Sequence, residues 1–544
     1  MEAADGVFLA VVSFISSSWY IARLGFYSDD WGLFAAFQLS PDRSIAGLLR
    51  PSFVDRPAQG VYSILLYRAF GLQPLGYHVV NAAVMAATVA LLYLALRKLQ
   101  PSRTCAFGAA LIYAVMPNFT TDRFWFAAFA APLSITFYLA SLLADLDAAP
   151  REGTPWLVRR AASIAAMLTS LLLYEAALPL FLLNPLMGPA RLFAKHVNRR
   201  RLILNLSTTV ALIAAVAVYK IKTSPRMHAP HGMAALMLSI AGKLFRPGFK
   251  EGDYGLNLRA AFNVNFGDYL FRLPAIVWRL QQQHPHAWLP FAAAALGIVV
   301  FAYARKLPPD FTVRQSLGSV LAGLGVFLLG YATFLTNEAI QITPTGIGNR
   351  TSIAAALGVA LTATGFAGLI ANAMRTAGAR ATAFAALVAA YAAAGFFVIS
   401  TLSGFWINSY ASALSIEKDI EAHAASLHKK TVLLGGVCSY NGPAIIVESD
   451  WDLAGMLRLH YADLTISADI LRPGSYSVTD SGIETTLYEG EDDYDFSADL
   501  VLYDFNRKMW TPLVDRETAL RTLAGGQIDA TCPAGSEGVG SRVF

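Results

Sequence analysis

Eleven stretches of this chain are apolar enough to take lipid as their solvent, and their number and spacing leave few folds open. They fall near 7–25, 77–97, 104–117, 124–144, 161–174, 176–190, 202–221, 287–304, 317–336, 352–373 and 381–403. A helix needs about 20 apolar residues to cross a bilayer, so the third, fifth and sixth are short for a span. The composition agrees: 55% of the 544 residues are hydrophobic and only 15% are charged, against roughly 25% in a typical soluble domain. The amino terminus, Met1-Glu2-Ala3-Ala4-Asp5, is acidic where a cleaved leader is basic, so the first stretch reads as a retained helix.

The net charge of +5 says less than the placement of the basic residues. Arg97, Lys98 and Arg103; Arg151, Arg159 and Arg160; Arg191, Lys195, Arg199, Arg200 and Arg201; Arg305, Lys306 and Arg314; and Arg375 and Arg380 all fall in short loops on one side of the eleven-span arrangement. Short basic loops stay in the cytoplasm. The pattern therefore predicts a multi-pass protein of a bacterial-type inner membrane, with a cytoplasmic N-terminus and a periplasmic C-terminus. The long segments, 26–76, 222–286, 337–350 and everything beyond 404, then lie outside. The expected fold is mainly α: a polytopic transmembrane helical bundle over 1–403, followed by a small extracytoplasmic α/β domain over 404–544.

The first outer loop holds the chemistry. It opens Phe26-Tyr27-Ser28-Asp29-Asp30-Trp31 and continues through Arg50-Pro51 and Asp55-Arg56-Pro57. An apolar stretch at 58–70 follows, too short to span and suited to an interfacial helix. Pro74-Leu75-Gly76-Tyr77-His78 then begins the second span. Two adjacent carboxylates where a span leaves the membrane suit general-base work. They equally suit a bland role, with Ser28 or Asp29 capping a helix and Trp31 anchoring it at the interface.

In this order of motifs the chain resembles the GT-C membrane glycosyltransferases, the group that includes protein O-mannosyltransferases and the aminoarabinose transferases of lipid A. The resemblance is clearest over 20–100 and extends by topology to about 403. It implies an inverting transfer of a sugar from a polyprenyl-phosphate donor to an acceptor hydroxyl on the outer face, the acceptor being a glycan, a lipid or a protein. Asp29 matches the family's first acidic position and is the candidate base. Asp30 would orient the acceptor, or hold a divalent metal ion if one is used, and the two acids could exchange roles. Arg56 matches the family's Arg/Lys-Pro element and is a candidate for the donor phosphate.

Other residues join from the chain itself. Thr343-Pro344-Thr345-Gly346-Ile347-Gly348-Asn349-Arg350 lies before the tenth span. Its glycines would let backbone amides approach an oxyanion, and Arg350 offers a bidentate fork. Lys222 and Arg226 follow the seventh span and are further phosphate candidates. Glu175, Asn349, Tyr27 and Trp31 would line the substrate cavity, and Trp125 and Tyr331 could stack on sugar rings. Asp122 and Arg123 read as a local ion pair or as lining of the acceptor entry, and His78 and Asn81 as polar links to neighbouring helices. His228 and His231 are too few for a closed metal site.

In the C-terminal part, strand-like runs at Thr431–Val437, Ala444–Val447, Asp463–Ile470 and Asp499–Phe505 alternate with helical stretches near 409–430, 450–460 and 516–524. Cys438 and Cys532 lie on the oxidising side in this topology and are a candidate disulfide. No basic patch with interleaved aromatics appears, which argues against a nucleic-acid partner. A secondary transporter is the main alternative. It should carry charges near the midplane and inverted repeats, whereas the acids and arginines here fall at the outer ends. A polymerase or ligase of lipid-linked glycans would use similar lipids but would not require Asp29-Asp30 so near the first span.

Overall fold

The computed structural model describes residues 2–99, 102–187, 199–223, 254–283, 286–334, 342–472, 474–487, 490–523 and 532. Arg191, Lys195, Arg226, His228 and His231 lie outside the described residues. Each of the eleven apolar stretches has a helical counterpart. Among the described residues eight helices are long and apolar enough to cross a membrane, and three apolar ones are shorter, Arg103–Val115, Glu175–Met187 and Leu289–Ala304; the third and sixth stretches are thus short as expected, whereas the fifth is part of the full-length helix Gly153–Leu173. The chain is a multi-pass membrane protein. The stretch after Glu175 is wound largely as a 3-10 helix, with Pro179 inside it; proline removes a backbone donor that a regular α-helix would use.

Helix α1 (Glu2–Ile21) is fixed at its start by Asp5, which is fully buried. Asp5 accepts from the Arg103 guanidinium (2.6 and 2.7 Å) and from the Tyr93 (2.5 Å) and Tyr303 (2.8 Å) hydroxyls. Arg97 pairs with Glu2, Lys98 with Asp147 and Arg160 with Asp145. Several of the basic residues that sort the loops thus also pin helix ends together at this end of the bundle.

At the opposite end α1 gives way to α2 (Asp29–Leu39), α3 (Ile45–Ser52) and α4 (Pro57–Phe70). The last of these is the helix expected near 58–70, with Pro57 at its first turn where a missing N–H costs nothing. His78 Nε2 donates to Gly25 O (3.0 Å) and Tyr62 OH to Asn81 Oδ1 (2.5 Å), the inter-element links expected of that pair.

Helices Val313–Ala332 and Ala355–Asn372 pack backbone to backbone. A Cβ placed on Gly358 would lie 2.3 Å from Phe327 N and 2.4 Å from Gly323 O. In lipid, where burial of apolar surface does not drive helices together, small residues permit such contact. Gly358→Leu should therefore force the pair apart at a cost of about 1–3 kcal/mol or more. Thermal unfolding of the detergent-solubilised variant should show a lower midpoint, and an unchanged midpoint would refute the close approach.

The last span does not stop at 403. Helix Ala377–His423 runs unbroken for 47 residues, merging the expected span at 381–403 with most of the expected helix at 409–430. Beyond it lies a four-stranded sheet of order β4-β1-β8-β9: β1 (Thr431–Gly435) is parallel to β4 (Ser467–Ile470) and β8 (Leu500–Asp504), and β9 (Met509–Pro512) is antiparallel to β8. The central strand is buried on both faces, as parallel strands are. Val432 and Leu434 join a core with Phe26, Trp31 and Phe34 of the first outer loop and with Ile416 and Ile420 of the long helix. Leu433 packs on the other face with Leu500, Leu502 and Leu513. The C-terminal domain and α2 thus share one hydrophobic core. Short β2 (Tyr440–Asn441) and β3 (Ala444–Ile445) pair with each other. A three-stranded antiparallel sheet, β5 (Tyr476–Val478), β6 (Gly482–Leu487) and β7 (Gly490–Asp495), completes the domain, and Cys438 and Cys532 are joined in a disulfide.

Candidate active site

The acidic pair sits on a tight turn. Asp30 N donates to Tyr27 O (3.0 Å), closing a four-residue turn over Tyr27–Asp30. Ser28 takes φ 45° and ψ −119°, the mirror-image conformation that such turns usually give to glycine. For a residue with a Cβ this costs on the order of 1–3 kcal/mol and persists only where the surroundings enforce it. Asp30 is one enforcer. It is fully buried, with Oδ2 accepting from Tyr27 N (3.0 Å) and Oδ1 from Ala127 N (2.9 Å). Burial pushes the Asp30 carboxyl well above the usual carboxylate range, while these amides pull it back.

Several sequence expectations change here. Both Asp30 oxygens are held by backbone, so Asp30 shapes the turn and is not disposed to hold an acceptor or a metal. Tyr27 is buried, its hydroxyl donating to Trp406 O (2.9 Å) and accepting from Gly25 N (3.1 Å). Trp31 is buried between Phe26 and Tyr410, so neither it nor Tyr27 lines an open cavity. Asp29, by contrast, is exposed at the first turn of α2.

The loop at 117–129 gathers the remaining candidates. Asp30 binds it through Ala127 N, and Gln59, on the first turn of α4 near Arg56, donates to Ala127 O (3.4 Å). Asn349 is fully buried against the loop's start. Its Oδ1 accepts from Thr120 Oγ1 (3.1 Å) and Thr121 N (3.2 Å), and its Nδ2 donates to Asn118 O (3.0 Å) and Pro344 O (2.7 Å). Thr121 Oγ1 donates to Gly346 O (2.6 Å), where Gly346 adopts φ 75°. The Gly346–Gly348 segment is therefore packed into the loop and is not an open anion nest, and Asn349 is a staple, not a cavity residue. What it presents is Arg350, partly exposed, with its guanidinium 5.4 Å from the centre of the buried Trp125 ring. Tyr331 is also buried, bonded to Ser352 Oγ (2.5 Å) and Asn265 Nδ2 (2.7 Å), and has no face for a sugar.

Asp122 and Arg123 do not form the expected pair. Arg123 turns back to donate to Ala114 O (3.0 Å), at the end of helix Arg103–Val115, and lies over Phe119. Neither oxygen of the fully buried Asp122 has a hydrogen-bond partner. Burial raises the Asp122 carboxyl well above its ordinary range, against the pull of Arg350 and Arg123. A buried, unsatisfied acid beside a partly exposed arginine is a functional-site signature.

A second cationic cluster centres on Glu175. Arg56 grips it with two nitrogens (Nη2 3.1 Å, Nε 3.4 Å), Lys220 Nζ bonds the same carboxylate, and Arg56 also stacks 4.5 Å over Tyr174. Two cations face the Glu175 carboxylate, and the neighbouring Asp55 carboxylate acts on both of them. Lys220 escaped the sequence reading, which chose its exposed neighbour Lys222. The usable signal was its place one turn from the end of a span, in a chain with a glutamate set in an apolar stretch.

On the domain side, an open groove of about 450 Å³ lies against α2, lined by Gly32, Asp450, Trp451, Arg458, Asp492 and Tyr494. Gly32 is one helical turn from Asp29, on the same face. Ser28 Oγ donates to Glu448 Oε1 (2.5 Å) and accepts from Trp451 Nε1 (3.3 Å). Nothing in the run Ile445-Ile446-Val447-Glu448 marks Glu448 as part of a site in the first loop. Among the described residues, no three His, Cys, Asp or Glu side chains gather as metal ligands.

No protein-family model and no curated protein matches the chain. It is similar to the crystal structure of ArnT from Cupriavidus metallidurans bound to undecaprenyl phosphate, with 14% sequence identity, 84% of each chain covered and a TM-score of 0.39, too distant a likeness to speak to chemistry.

Proposed function

We propose that this chain is an integral-membrane inverting glycosyltransferase that moves a sugar from a polyprenyl-phosphate donor to an acceptor hydroxyl on the periplasmic face. The observation that carries the reading is the convergence on the loop at 117–129. One short segment touches the acidic turn through Ala127, the Arg56 helix through Gln59 and the Arg350 segment through Asn349 and Trp125. A base and cations tied to one short loop are what this transfer needs.

In the proposed reaction Asp29 takes the proton of the acceptor hydroxyl as its oxygen attacks the anomeric carbon. The bond from that carbon to the phosphate oxygen breaks on the opposite side, so the configuration inverts. The departing lipid phosphate gains negative charge, which Arg350 and the Arg56–Lys220 cluster stabilise from fixed positions. The groove that reaches Gly32, one helical turn from Asp29, offers the acceptor the aromatic faces of Trp451 and Tyr494 and the carboxylates of Asp450 and Asp492.

The test is undecaprenyl phosphate itself, titrated against the full chain in nanodiscs. A charge-assisted hydrogen bond is worth about 1.5–3 kcal/mol, so Arg350→Ala should weaken binding by roughly 10-fold or more, and added salt should weaken the parent in the same direction. Equal affinity in the parent and Arg350→Ala would remove Arg350 from the phosphate site.

A further inference from the structure

We propose that Glu448 of the C-terminal domain is a positioning residue for the acidic turn, acting through Ser28 to hold Asp29 where a base must stand. The inference rests on the reading of Asp29 given above.

Ser28 is one of four non-glycine residues with positive φ among the described residues, and it immediately precedes Asp29. Its φ and ψ set the direction in which Asp29 leaves the turn. Asp30 ties the turn from inside, and Glu448 ties it from the domain. The Glu448 carboxylate is buried and accepts from two hydroxyls, Ser28 Oγ at 2.5 Å and Tyr440 OH at 2.7 Å. Both hydroxyls donate to it, so the lone pairs of Ser28 Oγ are left to Trp451 Nε1.

Glu448 is itself immobilised. Its N–H donates to Asp452 Oδ2 (2.6 Å), and its carbonyl accepts from the Arg472 guanidinium, which lies 5.6 Å over the Tyr440 ring. The spacing between the two sides is set by backbone contact. A Cβ on Gly455 would lie 2.4 Å from Gly32 N, and one on Gly32 would lie 2.9 Å from Trp451 O. Helix Asp450–Tyr461 therefore stands at a fixed distance from α2, and the carboxylate at its head reaches one hydroxyl of the strained turn. The domain thereby completes the active site without supplying a reacting group.

Two measurements test this on the full chain in detergent. The first needs no substrate. With Asp29→Cys, the alkylation rate by N-ethylmaleimide reports the setting of position 29; Cys105 is buried and the other two cysteines are joined, so the background is low. Adding Glu448→Ala or Ser28→Ala should change that rate severalfold and shift its pH profile. Ser28→Gly, which accepts the same backbone without the tether, should change it less. The second is turnover with undecaprenyl-phosphate-linked arabinose, mannose, glucose and galactose. Since small misplacement of a catalytic group can cost about 100-fold, Glu448→Ala should lower kcat by roughly 10-fold or more with the donor KM unchanged. Glu448→Gln, which still accepts from Ser28, should lower it less, and Ser28→Gly added to Glu448→Ala should recover most of the loss.

Identical alkylation rates and pH profiles in Asp29→Cys with and without Glu448→Ala would overturn the proposal. So would Ser28→Ala and Ser28→Gly behaving alike, which is the result expected of a merely structural contact. The glycosyltransferase reading fails separately, if Asp29→Asn keeps its turnover, and the thiol measurement still decides the role of Glu448.

Discussion

Asp29→Asn is expected to abolish sugar transfer while leaving the protein folded. Asparagine matches the carboxylate in shape but cannot take a proton, and a positioned general base contributes roughly 10²–10⁴-fold to rate. Asp29 is exposed, whereas the buried neighbour Asp30 has its oxygens on Tyr27 N and Ala127 N. Substitution at an exposed position away from core features usually changes stability by no more than about 0.5 kcal/mol, so the melting midpoint should hold. The measurement is turnover in proteoliposomes with undecaprenyl-phosphate sugars, alongside undecaprenyl phosphate binding, which should persist. Full turnover in this variant rejects Asp29 as the base, and a lost melting transition would show that its role is structural.

Asn349 carries the largest expected effect on stability. Its amide is buried, with five partners drawn from the loop at 117–121 and from Pro344. Asn349→Ala strands buried donors and acceptors that water cannot reach. At about 1–3 kcal/mol for each group left unsatisfied, the loss should reach about 2–4 kcal/mol after relaxation. Asn349→Asp is the sharper test. It keeps the shape, but it turns an acceptor toward Asn118 O and Pro344 O, where a donor now sits. It should be at least as destabilising as alanine, and undecaprenyl phosphate binding should weaken in both because Arg350 follows directly. Thermal unfolding of the purified variants decides it; an aspartate variant that melts with the parent would mean the segment is held elsewhere.

The membrane part was legible because each span must satisfy its own hydrophobic length, and the sequence carries that length locally. The same cue misled at the end of the last span, since hydropathy marks where lipid ends and not where a helix ends. The parallel strands announced themselves as apolar runs such as Val432–Leu434. The β5–β7 sheet did not, because Glu484, Asp492, Asp493 and Asp495 give it no apolar alternation. In the candidate site, Asp29-Asp30 stood out as a pair, but which of them is buried depends on a serine in a glycine-like conformation, for which residue type gives no cue. Asn349 and Tyr27, expected to line a cavity, are instead buried, because burial depends on distant segments. Glu448 lies 420 residues from Ser28, and local patterning does not reach so far.

The unbroken helix Ala377–His423 has a mechanical consequence. At about 1.5 Å per residue, 47 residues make a shaft of roughly 70 Å, more than twice the roughly 30 Å hydrocarbon thickness. Its lower part is keyed into the bundle by Ser400 on Trp19 Nε1, and its upper part into the sheet by Asp419 on Tyr503 OH. No loop lies between those two keys to absorb an inserted or deleted residue. One residue more would turn everything above it by about 100°, swinging the carboxylate at 448 away from the serine it grips. The length of this shaft is therefore indexed to the geometry at its far end.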